Sequence, residues 1–328
     1  MRFSEYMQEW LYGEGGYYKT FKAIGKEGDF YTAVSTSAFF GASIANFIYN
    51  QMQSGKIFKD VALVEIGAHQ GYLMGDMIRW LYTKDESLLD SMRFIIVERQ
   101  DDVIKAQKEY FAKNFGNAVK IEYVKSLSEL SLEKAVFVSN EIFDAFACDL
   151  YKDGKIAVVN EHKISWIDAP IKYIEFAKKH RLRTGEIAVG YEEFAKDIAK
   201  AAKSYHFLSF DYGEKYVRND FSIRVYSKHK TYPLFDKECK LSEHFKRSDI
   251  TYDVNFAHVI EAFESAGAKL EIYETQARAL VRFGIIDILE QYYKVATQAQ
   301  YLAQADKVKT LIAPTIMGDR FKLVHFSR

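Results

Sequence analysis

The feature that most constrains this chain is a repeated alternation of short apolar runs and helix-like segments. The runs are "DVALVEIG" (60–67), "RFIIVE" (93–98), "VKIEYV" (119–124), "KAVFVSNE" (134–141), "YHFLSFDYG" (205–213), "KLEIYET" (269–275) and "FKLVHF" (321–326). Each has the length of one strand and is bounded by polar residues or glycine. Between the first four lie "YLMGDMIRWLY" and "DVIKAQKEYFAKNF", which have helical spacing. A βαβα order of this kind predicts a doubly wound, mostly parallel sheet with helices on both faces.

Two stretches interrupt the alternation. After "FVSNE" comes "DLYKDGKIAVV", where Asp153-Gly154 between alternating runs predicts a tight hairpin, followed by the helix-like "YIEFAKKHRL" and "YEEFAKDIAKAAKSY". A long helical stretch over about 277–309 precedes the last strand, as expected of an inserted helical lobe. The chain therefore divides into an N-terminal helical segment (1–60), the first part of a Rossmann-like domain (61–148), a hairpin and helical insertion (149–204), and the rest of the sheet with its helical lobe (205–328).

With 45 Lys+Arg against 45 Asp+Glu there is no global field to draw in nucleic acid or an acidic membrane. Cys148 and Cys239 are the only cysteines and form no C-x-x-C or Cys/His cluster, which argues against a disulfide framework and structural zinc. The histidines show no metal-ligand spacing either, so no metal is expected. The first residues lack the apolar core of a secretory signal, and no run approaches the roughly 18 apolar residues of a membrane helix. These features predict a cytoplasmic protein without membrane insertion.

The stretch "LVEIGAHQGYL" (63–73) places Glu65 at the end of the first strand, with Gly67 and Gly71 flanking the turn into a helix. Such glycines let a backbone approach a nucleotide-type cofactor closely, although an ordinary strand–turn–helix reads the same way. Glu98 ends the second strand, where a carboxylate can accept hydrogen bonds from both ribose hydroxyls, although an exposed strand-end acid reads the same way. Loop and acid together point to an adenosine-containing cofactor without separating NAD from S-adenosylmethionine; a complete G-x-G-x-x-G is absent. In "VSNEIFDAF" the fourth strand ends with Asn140 and Glu141, and Asp144 follows three residues later. Two carboxylates at that edge could hold a guanidinium while Phe143 and Phe146 wall the pocket. Asp144 could equally cap a following helix.

Taken in order, "GDFYTA" (28–33), "FFG" (39–41), "LVEIG…GYLMGD" (63–76), "VER" with Gln107, "NEIFDAF" (140–146), "DYG" (211–213), "RVYSKH" (224–229), "DITYDVNF" (249–256), "TQARALVRFG" (275–284) and "PTIMGDRFK" (314–322) resemble the MidA-type family. These are class I S-adenosylmethionine-dependent protein arginine methyltransferases whose mitochondrial member is a complex I assembly factor. The resemblance implies a seven-stranded sheet with an antiparallel last strand and S-adenosylmethionine as cofactor. It implies that Gly67 and Gly71 cradle the methionine part, that Glu98 holds the ribose, and that Asn140 joins the cofactor set with Glu65. Gly28 and Asp29 would close over the cofactor. Glu141 and Asp144 would act on the substrate, with Phe143, Phe146, Asp211, Tyr212 and His229 lining its site. The expected partner is a complex I subunit; a non-catalytic assembly chaperone with a degenerate pocket is the alternative.

The sequence departs from the family pattern at three places. His69 stands where the loop has glycine, Gln70 where it usually has a basic residue, and Val34-Ser35 where proline and glutamate follow "GDFYTA". His69 could act as a general base, but a solvent-facing side chain or a substitute cofactor contact fits a loop tip better. A β-carbon at position 69 either forces the loop outward or demands a left-handed backbone.

Overall fold

A computed structural model describes residues 1–19, 32–227 and 230–328. Gly28, Asp29 and His229 lie outside the described residues. The chain forms two compact units: one comprises Met1–Phe30, Ile142–Phe194 and Tyr212–Ala262, the other Tyr31–Glu141, Ala195–Asp211 and Phe263–Arg328.

The second unit holds the main sheet: β1 (Ala62–Ile66), β2 (Arg93–Val97), β3 (Ile121–Val124), β4 (Leu132–Asn140), β5 (Ala202–Glu214, whose last residues enter the other unit), β6 (Lys269–Thr275) and β7 (Phe321–Ser327). Their order is β3-β2-β1-β4-β5-β7-β6. The pairs from β3 through β5 are parallel. β7 runs antiparallel to β6, and Tyr205 and Arg328 exchange both backbone hydrogen bonds at 2.8 and 2.9 Å, the pattern of an antiparallel pair. This is the class I methyltransferase arrangement that the family resemblance implies.

Parallel strands buried on both faces explain the near-continuous apolar runs: Leu63 and Val64 in β1, and Val136, Phe137 and Val138 in β4, are fully buried. Helices α1 (Ala38–Gln53), α2 (Tyr72–Lys84) and α3 (Asp101–Phe115) belong to this unit, the last two forming the crossovers from β1 to β2 and from β2 to β3. Strand order reverses at β1, which lies between β2 and β4, and that is the point where such sheets open a ligand crevice at their carboxyl edge. The helical stretch before β7 is three helices, Gln276–Arg282, Ile285–Tyr293 and Gln298–Ile312. It breaks at Gly284, which has φ of +87°, and restarts at Thr297, whose hydroxyl accepts from the backbone N–H of Gln300.

In the first unit the hairpin forms at the residues that predict it. Asp153 and Gly154 have φ of +45° and +83° and join the antiparallel strands Cys148–Lys152 and Lys155–Asn160. Two strands that the sequence reading passes over, Lys163–Asp168 and Thr184–Ala188, complete a four-stranded sheet. Each is a short run of mixed exposure. Helix Ile171–His180 adds Tyr173 and Ala177 to a core with Tyr151, Ile156 and Ile187. The helical pattern "YEEFAKDIAKAAKSY" stops at Ala201, where β5 begins.

Candidate functional site

The loop from β1 into α2 has three left-handed positions, Gly67, His69 and Gly71, with φ of +71°, +45° and +79°. The backbone N–H of Gly71 donates to Ala68 O at 2.7 Å, and that of Gly67 to Val97 O at 3.3 Å. Gly71 has a second constraint besides φ: a β-carbon there would lie 2.9 Å from a ring carbon of Phe111 on α3. Of the two outcomes open to His69, the chain takes the left-handed backbone. Its carbonyl accepts a hydrogen bond from Nε2 of Gln107, also on α3, at 2.7 Å.

Glu65 is buried, and its Oε2 accepts the backbone N–H of Met74 at 2.9 Å in the first turn of α2. Burial pushes its carboxyl up to about 8, so it carries a proton at neutral pH. Glu98 follows β2 and is half-buried; its carboxylate accepts the N–H of Gln100 at 3.0 Å, and burial raises its pKa. Ile66 pairs with Val97 and with Ser139, so Gly67, Glu98 and Asn140 leave three adjacent parallel strands at the same edge. At the end of β4, Nδ2 of Asn140 donates to Oε1 of Glu141 at 2.8 Å. Glu141 has φ of +53° and donates its N–H to Phe210 O at 2.8 Å. Oδ1 of Asn140 is buried and has no hydrogen-bond partner among the described residues. Asp211 is fully buried on β5. Glycines that open the backbone, a helix N-terminus and a carboxylate on the neighbouring strand suit an adenosine-containing sulfonium cofactor. In this unit Gly67, Gly71, Glu98 and Asn140 are the residues that could hold it.

The first unit contains a separate polar network. Asp144 is buried inside a short 3-10 turn, Phe143–Ala145, whose N-cap position belongs to Ile142 rather than to Asp144. Tyr212 Oη lies 2.7 Å from Asp144 Oδ2 and 2.6 Å from Thr251 Oγ1. Its single proton goes to the carboxylate, and the Thr251 hydroxyl donates in turn. The Arg224 guanidinium lies over the Tyr212 ring, 5.1 Å from its centroid, and donates to Asp253 at 2.7 Å. Burial lifts the Asp144 carboxyl to about 6, while the Tyr212 hydrogen bond and the Arg224 charge pull against it. Phe143 is fully buried, with its ring 5.3 to 6.0 Å from those of Tyr191, Phe194 and Phe146, and its carbonyl accepts the Tyr191 hydroxyl at 2.9 Å. Phe146 is half-buried.

A family profile described as "Putative S-adenosyl-L-methionine-dependent methyltransferase" matches residues 43–274. The chain belongs to this family. The family's description names S-adenosyl-L-methionine as the cofactor, and the chain is similar to two crystal structures of Burkholderia thailandensis COG1565 superfamily proteins. One, bound to S-adenosyl-homocysteine, is 23% identical with a TM-score of 0.83 and is matched over 100% of this chain and 88% of that one. The other is 23% identical with a TM-score of 0.79, over 100% and 87%. Both confirm the fold. Among curated proteins, the chain is 24% identical over 285 residues to "Protein arginine methyltransferase NDUFAF7 homolog, mitochondrial" of Caenorhabditis elegans, a match covering 74% of this chain and 63% of that protein's length, so it spans less than two thirds of that relative.

That relative corrects the expectation of a cytoplasmic location, because it is mitochondrial by name. The expectation rested on unpaired cysteines and the lack of a long apolar run, and neither feature distinguishes one reducing compartment from another. Among the described residues no helix is long and apolar enough to cross a membrane, and no group of three or more His, Cys, Asp or Glu is arranged to hold a metal. Sequence reasoning overlooked Gln107, Arg224 and Thr251 as contributors. All three lie in stretches that carry the family resemblance, but nothing local to them indicates which backbone or side chain they meet. At the Val34-Ser35 departure, Ser35 is engaged locally: its N–H donates to Thr32 Oγ1 at 3.1 Å and its hydroxyl accepts the N–H of Thr32 at 3.0 Å.

Proposed function

We propose that this chain transfers a methyl group from S-adenosyl-L-methionine to an arginine nitrogen of a protein, and that the protein is a subunit of respiratory complex I. The reading is carried by the Asn140–Glu141 pair at the end of β4, which sets a carboxylate on a left-handed backbone at the carboxyl edge of the sheet, one strand from the glycine loop. A carboxylate there suits a guanidinium, which it can hold by charge-assisted hydrogen bonds. The name of the C. elegans relative supports arginine as the acceptor.

In this reading Gly67 and Gly71 admit the methionine part of the cofactor and Glu98 accepts hydrogen bonds from the ribose. Asn140 borders the same crevice, and Glu65 holds the first turn of α2 in place. Bound S-adenosylmethionine supplies an electrophilic methyl carbon. The chain's own work is to orient the nitrogen and to hold its positive charge through Glu141, so most of the rate enhancement comes from positioning.

The test is mass spectrometry of complex I subunits from cells with and without the gene, alongside calorimetry of S-adenosylhomocysteine binding to the purified chain. A methylarginine that disappears with the gene supports the proposal. Cofactor binding with no change in any arginine favours an assembly chaperone, the reading to which the departures at Val34, Ser35 and His69 lend support.

A further inference from the structure

Gln107 on α3 is fully buried and reaches the loop after β1, where Nε2 donates to the His69 carbonyl at 2.7 Å. A carbonyl oxygen only accepts, so the amide orientation is settled: NH2 on His69, Oε1 away from it. That Oε1 is buried and has no hydrogen-bond partner among the described residues. A buried acceptor without a donor counts against the folded state. For packing alone, an apolar side chain of the same length would serve better.

The donor half of the amide is used at the one loop position that needs restraint. Gly67 and Gly71 enter the left-handed region freely, but His69, at φ of +45°, carries a β-carbon and enters it at a cost. The bond from Gln107 fixes the peptide that follows this strained residue, and Phe111, one helical turn further along α3, packs against Gly71.

We propose that Gln107 is a positioning residue for the cofactor: it holds the His69 peptide in its left-handed conformation so that the loop is preformed when S-adenosylmethionine arrives, and it does so at the expense of global stability. The proposal rests on the cofactor reading above. A purely structural glutamine would lower stability and binding together when removed; a positioning glutamine moves them in opposite directions.

The experiment uses the full chain with Gln107→Met, which keeps length and loses the donor. S-adenosylhomocysteine affinity is measured by calorimetry, and stability by urea unfolding without cofactor. Affinity is expected to weaken about three- to tenfold, the worth of one hydrogen bond, while the unfolding midpoint stays level or rises. In the His69→Gly background, where glycine holds the conformation unaided, the same substitution should change affinity less than about twofold. Parent-like affinity in Gln107→Met overturns the proposal, as does a parallel loss of affinity and stability in both backgrounds. A parent chain that binds no S-adenosylhomocysteine overturns the cofactor reading and this proposal with it, a result distinct from either of the others.

Discussion

Replacing His325 with phenylalanine should flatten the acid side of the stability curve. His206 on β5 and His325 on β7 face each other with Nδ1 and Nε2 3.0 Å apart, and Nε2 of His206 lies 3.3 Å from the carbonyl oxygen of Lys56. The carbonyl can only accept, so His206 carries its proton on Nε2, its Nδ1 accepts, and His325 donates from Nε2. His325 Nδ1 is then unprotonated, buried and without a partner among the described residues. A second proton on His325 would have to go to that nitrogen, in a buried ring that packs nearly perpendicular to Phe47, 5.6 Å between centroids. Burial, reinforced by His206, pushes the His325 pKa down to about 3, against about 6.5 in an unfolded chain. The imidazole is thus neutral when folded and takes up a proton on unfolding. Its effect is absent above about pH 6.5, and stability is lost progressively as pH falls from there toward 3. Between pH 7.5 and 5.0 the loss amounts to about 2 kcal/mol. Glu65 and Asp76, with carboxyls raised to about 8 and about 6 by burial, push stability the opposite way over part of this range, so only the difference between two chains isolates the histidine. Urea unfolding of the parent and of His325→Phe at both pH values is the assay. The variant should lose about 2 kcal/mol less than the parent on going from pH 7.5 to 5.0; an identical pH dependence would refute the tautomer and burial argument.

Four further outcomes are expected. Glu98→Ala should weaken S-adenosylhomocysteine binding by about 1.5–3 kcal/mol, as for a lost charged acceptor, and calorimetry showing parent affinity would remove Glu98 from the ribose role. Glu141→Gln should keep cofactor affinity while slowing radiolabelled methyl transfer to the natural acceptor. Asp144→Asn, which can still accept from Tyr212, should retain the fold by circular dichroism; unchanged transfer rates in both variants would leave Asp144 as a structural member of the Tyr212–Thr251 network and Glu141 as a loop residue. Gly213→Ala should destabilise by at least about 1–3 kcal/mol, because a β-carbon at φ of +149° would lie 2.1 Å from the backbone oxygen of Val254; a parent-like melting temperature would contradict that packing.

Much of the framework depends on local pattern and was therefore legible in the sequence. Apolar runs of strand length marked β1 to β7, and Asp153-Gly154 named its own turn, because two residues that tolerate positive φ suffice for that geometry. The strand-end acids Glu98 and Glu141 were visible for the same reason. Neighbour relations were not visible. β7 lies between β5 and β6, the last strand inserted beside one that ends more than a hundred residues earlier, and no local propensity encodes a pairing at that separation. Glu65 was read as a cofactor residue from its place at a strand end, and only the packing of α2 shows its oxygen on Met74. Asp144 read as a cap or a catalytic acid; its partners Tyr212, Thr251 and Arg224 come from three distant stretches. For His69 the sequence posed two backbone outcomes, and tertiary contact decided between them: the left-handed peptide is held by a glutamine on another helix, since a single hydrogen bond across the fold can settle a conformational choice worth about 1–2 kcal/mol that local sequence leaves open.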